Sequence, residues 1–130
     1  MKRLSKNLKS AQVDMVILEG GVTIGASGSL TGANLHGAGI ERVTQGVNPG
    51  KYSIVLEETY NKFFSFTPTF VGTTNSTIGS VQVLSEAVQS TGTINIQCYD
   101  ITGTAASPAA GVEMKFVVIV RESGVQGKGE

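Results

Sequence analysis

Side chains able to do covalent or acid–base chemistry are few in this sequence, and none stands in a pattern that catalysis requires. The single histidine, His36, lies in the run Ala33-Asn34-Leu35-His36-Gly37-Ala38-Gly39. A catalytic imidazole needs an orienting carboxylate and a nucleophile, and the local sequence supplies neither, so His36 reads as a loop histidine. The single cysteine, Cys98, lies between Ile96 and Asp100 on the apolar face of a predicted strand. Nothing beside it in sequence favours a thiolate, and it reads as a small buried hydrophobe. One histidine and one cysteine cannot build a tetrahedral nitrogen and sulfur zinc site within one chain, and one cysteine cannot close an intramolecular disulfide. Glu57-Glu58 is not a working carboxylate pair, because adjacent strand residues point to opposite faces; the two read as ending a strand and solubilising the turn after it. The glycine-rich stretch lacks the Gly-Lys-Ser/Thr ending of a phosphate-binding loop and does not lie between a strand and a helix. Asn75-Ser76-Thr77 matches the glycosylation sequon, a chance match in a chain read as unexported. These residues predict a protein that is not an enzyme and uses no cofactor, metal or small-molecule substrate.

The elements that carry these residues read as strands. Val13, Met15 and Ile17 form an apolar set that Gly20-Gly21 is expected to break, with residues 22–24 resuming as a short strand. Residues 20–50 hold nine of the seventeen glycines. So small a supply of large apolar groups predicts a loop, or a thin extended segment laid against something else. Residues 40–45 and 51–56 read as a hairpin around Gly46-Val47-Asn48-Pro49-Gly50, with Tyr52, Ile54 and Leu56 on one face. In residues 63–71, the even spacing of Phe64, Phe66 and Phe70 predicts three rings on one face, and Pro68 predicts an edge position or a bulge. Residues 80–88 and 93–101 are two further strands around a Gln89-Ser90-Thr91-Gly92 turn. Residues 112–121 alternate most strongly, and Val117 and Ile119 on the otherwise wet face predict that the second half is covered on both sides. No segment sustains helical periodicity. Seven or eight short strands with regular turn signals predict an all-β fold, a β-sandwich or jelly-roll-like domain.

Length, charge and composition set the frame. The 130 residues suit one domain, with a core large enough to fold on. No apolar run reaches the ~20 residues that span a bilayer, and Asp14 and Glu19 interrupt any hydrophobic segment of a secretory signal. The formal net charge of zero divides unevenly. Residues 1–10 carry Lys2, Arg3, Lys6 and Lys9 with no acid, giving +4, and the remaining residues hold six basic and ten acidic groups, giving −4. The organisation expected is a basic N-terminal arm (residues 1–12), a single sandwich domain (13–122) that includes a glycine-rich segment (20–39), and a C-terminal tail (123–130). Four cations without interleaved aromatics, on an acidic body, predict no nucleic-acid partner. The arm's expected role is to dock on an acidic protein surface.

The stretch Gly50-Lys51-Tyr52-Ser53-Ile54-Val55-Leu56, with Tyr60 close behind, resembles small proteins encoded among the head genes of tailed bacteriophages. The likeness continues through Ile94-Asn95-Ile96-Gln97-Cys98-Tyr99-Asp100, the Gly/Ala loop with Pro108, and the final strand Val112-Glu113-Met114-Lys115-Phe116-Val117-Val118-Ile119-Val120. It spans roughly residues 40–121 and rests on strand patterns. The resemblance implies a capsid decoration, or cement, protein: β-rich, homotrimeric, on the capsid exterior of the virion, bound to the major capsid protein and fastening its subunits. Lys2, Arg3, Lys6 and Lys9 are then the expected partner-binding residues. Two other readings stay open. One is a tail- or fibre-associated virion protein, whose glycan platforms would have to come from Tyr52, Tyr60 and Tyr99. The other is a small carbohydrate-binding β-sandwich, which a concave site with convergent polar groups would favour.

Overall fold

The computed structural model describes residues 15–30 and 36–122. Eight strands follow in chain order: β1 (Met15–Thr23), β2 (His36–Ala38), β3 (Ile40–Gln45), β4 (Lys51–Leu56), β5 (Lys62–Val71), β6 (Ile78–Ala87), β7 (Thr93–Asp100) and β8 (Glu113–Arg121). They make two four-stranded sheets, β2-β1-β8-β5 and β3-β4-β7-β6, and every neighbouring pair is antiparallel. The all-β sandwich expected from the strand pattern is the fold. The arm at residues 1–12 and the tail at 123–130 lie outside the described residues.

Alternation explains the packing. Tyr52, Ile54 and Leu56 of β4 and Ile94, Ile96 and Cys98 of β7 meet Leu18 and Val22 of β1 and Met114, Phe116, Val118 and Val120 of β8. All are buried, which is what period-2 apolar residues on facing sheets produce. Phe66 of β5 stacks on Phe116 at 5.4 Å between ring centroids. The Tyr52 hydroxyl donates to the Gly28 carbonyl at 2.7 Å, giving a buried polar tip its partner. The β3–β4 hairpin and the β6–β7 hairpin stand where their turn residues predict, and Pro68 sits on an edge strand.

Four expectations need correction. Gly20-Gly21 do not break the first strand: β1 runs through them, pairing Gly20 with Phe116 and Gly21 with Lys115. A neighbouring strand supplies the ladder partners that the local sequence does not advertise. Of the two readings of the glycine-rich segment, the extended one laid against a neighbour describes it: within residues 20–39 lie the second half of β1, a single 3-10 turn (Ala26–Gly28) and β2, with residues 31–35 outside the described set. His36 therefore lies on a strand, its backbone paired with Gly21. The apolar face of β1 is the opposite of the one expected: Leu18 and Val22 enter the core, and Met15 and Ile17 turn away from it, on the same side as Glu19. On β5 a bulge between Phe63 and Ser65 shifts the register, so Phe63, Phe66 and Phe70 pack on the core and Phe64 is exposed. A single inserted residue reverses the parity before it.

Candidate interaction surface

The two sheets present very different outer faces. The outer face of β3-β4-β7-β6 is a hydrogen-bonded polar ladder. Ser53 donates to Asn95 Oδ1 at 2.5 Å, and Asn95 Nδ2 donates to Ser85 at 2.9 Å. Gln97 is buried there, its Nε2 donating to the Pro49 carbonyl at 2.7 Å and the Cys98 carbonyl at 3.0 Å. This ladder is satisfied and suited to water, with Leu84, 43% exposed at the β6 bulge, its one large exposed aliphatic among the described strand residues.

The outer face of β2-β1-β8-β5 is different. Its rows follow from the register: Met15 with Arg121 and Lys62, Ile17 with Ile119 and Ser65, Glu19 with Val117 and Thr67, Gly21 with Lys115 and Thr69. Ile17 is 67% exposed, Phe64 42% and Val117 36%, and Met15 lies beside them. The Lys62 ammonium sits 5.7 Å from the centre of the Phe64 ring, a cation–π contact at the rim. Isolated exposed aliphatics are ordinary, but Met15, Ile17 and Val117 fall on successive rows of one sheet, with Phe64 at the bulge of its edge strand. The covering expected over Val117 and Ile119 is therefore not supplied by the described residues.

Beyond Val117 the same face hollows into a cleft of about 380 Å³ lined by Glu19, Gly21, Thr67, Thr69, Glu113 and Lys115. Phe116 turns its ring inward, so its main chain and that of Gly20-Gly21 form the floor. A side chain on Gly21 would stand 3.2 Å from Glu113 Oε2 and 3.4 Å from Lys115 Cγ. The two charged side chains thus lean over the glycine, and its missing Cβ leaves room for them. Among the described residues, the side chains of Glu19, Glu113 and Lys115 make no hydrogen bond or ion pair with one another or with any other group.

No protein-family model, curated protein or solved structure matches this chain.

Lys2, Arg3, Lys6 and Lys9 lie outside the described residues. Cys98 is fully buried, and burial pushes its thiol up to about 12, as a small hydrophobe requires. Glu57 and Glu58 are exposed just past the end of β4. Tyr52 and Tyr60 are buried, so neither can serve as a glycan platform. Among the described residues no group of three or more His, Cys, Asp or Glu side chains converges as metal ligands would. Of the patch residues, Val117 and Ile119 were visible in the sequence as apolar residues on the wet parity of a strand, whereas Ile17 was assigned to the core face and turns outward instead. The cleft was not, because Glu19, Thr67 and Glu113 come together only through the β1-β8-β5 pairing.

Proposed function

We propose that this protein is a structural adhesion module of a virion, a capsid decoration protein that binds the outer surface of a tailed-phage shell and fastens neighbouring major capsid subunits. The observation that supports this is the asymmetry of the sandwich: one face carries a polar ladder with Leu84 exposed at a bulge, and the other carries Ile17, Ile119 and Val117 on adjacent rows with Phe64 exposed at the β5 bulge. A rigid sheet presenting desolvatable aliphatics with few charges at its centre is what a protein interface core requires. On this reading the protein acts as a homotrimer, and weak contacts made by each copy add through multivalency. Electron cryomicroscopy of the particles that contain this chain tests it. Density for the sandwich on the head exterior, with the Ile17–Val117 face turned toward the shell or a sister copy, is expected. Density on the tail, or a chain absent from purified particles, overturns it.

The cleft is a specific observation in favour of a second reading, a small ligand-binding β-sandwich. Thr67, Thr69, Glu19, Glu113 and Lys115 supply hydroxyl, carboxylate and ammonium groups around a floor of main chain. Glycan-array binding that disappears in Thr67→Ala and Lys115→Ala would favour that reading over the first.

A further inference from the structure

We infer that the cleft between Glu19 and Glu113 receives the basic N-terminal residues of a second copy of this chain. The inference needs only copies of this protein, so it stands or falls apart from the shell-binding reading.

Charge complementarity is the first argument. Residues 1–10 hold Lys2, Arg3, Lys6 and Lys9 without an acid, and the cleft offers two carboxylates that no described residue engages. With Lys115 the cleft keeps a net charge of −1 (two carboxylates, one ammonium), and the ammonium can donate to main-chain carbonyls of an extended guest. Floor chemistry is the second argument. Gly21 contributes no side chain of its own, so the Glu113 and Lys115 side chains lean over it within reach of a guest, and Thr67 and Thr69 on the far wall offer hydroxyls that both donate and accept. Leu4 and Leu8, between the cations, match the aliphatic rows Ile17–Ile119 and Val117 that lead into the cleft.

Chain length and direction are the third. Fourteen residues precede Met15, and extended they reach about 46 Å at ~3.3 Å per residue, whereas Gly21 lies only six residues along β1 from Met15. Reach alone would allow a chain to cover its own face. Yet β1 starts at the Met15–Arg121 end, so its own arm would have to reverse at once to lie back over the cleft. The β3–β4, β6–β7 and β7–β8 connections turn on glycines with positive φ, at Gly50, Gly92 and Gly103, and residues 1–14 contain neither glycine nor proline. A neighbouring copy is the host that the sequence favours.

Zero-length carbodiimide coupling, which joins a lysine amine to a carboxylate in contact, reads this directly on the full chain. Equal amounts of unlabelled and uniformly 15N-labelled protein are mixed, coupled and digested. Mixed-isotope peptides linking Lys2, Lys6 or Lys9 to Glu19 or Glu113 are expected. Their yield should fall roughly three- to tenfold when ionic strength rises from about 0.05 to about 0.5 M, as exposed ion pairs are screened. Glu19→Gln/Glu113→Gln should abolish these links, as should reversing the arm charges in Lys2→Glu/Lys6→Glu/Lys9→Glu, which changes no described residue. Links confined to single-isotope peptides would place the arm on its own chain and overturn the inference. So would links that run only to other carboxylates, or no arm links at all.

Discussion

Cys98 and Tyr52 share the core between the sheets, and burial holds both in their neutral forms. Desolvation pushes the Cys98 thiol from 9.0 up to about 12. It pushes the Tyr52 phenol from 10.0 to about 12, helped by the neighbouring cysteine and opposed by the hydrogen bond with Ser107. Each group is uncharged when protonated and ionises more easily in the unfolded chain. Its contribution to stability is therefore complete below the unfolded value and lost as pH rises toward the folded one. Denaturant unfolding should show stability flat to about pH 9 and falling from there toward about 12, by about 1.4 kcal/mol per pH unit for each group engaged. In Cys98→Ala the fall should begin about one unit later, where the unfolded tyrosine starts to ionise. An unchanged onset would mean that the cysteine is not its source. Gly50 sets a second residue-scale limit. Its φ is +74°, and an added Cβ would stand 2.1 Å from the Ala106 carbonyl oxygen and 2.8 Å from its carbon. Both are backbone atoms in the long β7–β8 connection, so neither can swing aside. Gly50→Ala should cost more than ~2 kcal/mol in urea unfolding, combining strain with displacement of that connection. A loss below ~0.5 kcal/mol would show that the connection moves freely.

At the scale of elements, the β5 bulge decides which phenylalanines hold the sandwich together. Phe63 packs against the core and Phe64 lies 42% exposed, although even spacing with Phe66 and Phe70 points to Phe64. Phe63→Ala should cost roughly 2 kcal/mol, below the 3–5 of a fully buried ring, and Phe64→Ala under ~1 kcal/mol. Thermal unfolding of the two single variants checks the order; equal costs would remove the bulge's role. The same strand marks how far the sequence could be read. Hairpins β3–β4 and β6–β7 were legible because their turn residues and strand alternation are local. The bulge was not, since an extra residue leaves the apolar pattern intact and only reverses its parity. The passage of β1 through Gly20-Gly21 was also hidden, because Phe116 and Lys115, which pair with those glycines, lie more than ninety residues away in sequence. The cleft inherits that difficulty: its walls come from three strands that are not consecutive in the chain. Charge segregation of the N-terminal residues needed no such knowledge.

For the whole molecule, the consequence of two unlike faces is that association and folding should be separable by mutation. Ile17, Val117 and Ile119 alternate with core residues on strands that stay buried on their inner side. Adding charge outside need not disturb Leu18, Phe116 or Val118. Ile17→Lys with Val117→Lys should therefore lower stability by no more than about 1–2 kcal/mol, the loss of β-propensity and partial burial at two strand positions. On an interface, by contrast, two desolvated cations placed at the centre would be costly enough to weaken association by more than a hundredfold. The matching control is Thr44→Lys with Gln82→Lys on the opposite face, exposed positions flanking the Ser53–Asn95–Ser85 ladder. Sedimentation velocity of the three proteins, with urea unfolding alongside, distinguishes the faces. The expected result is a wild type that self-associates, a control that does so equally, and an Ile17/Val117 variant that sediments as a folded monomer. Equal self-association in all three would remove the aliphatic rows from the contact between copies. Loss in both variants would mean that the contact surface wraps around both sheets and that the polar ladder is not the free face.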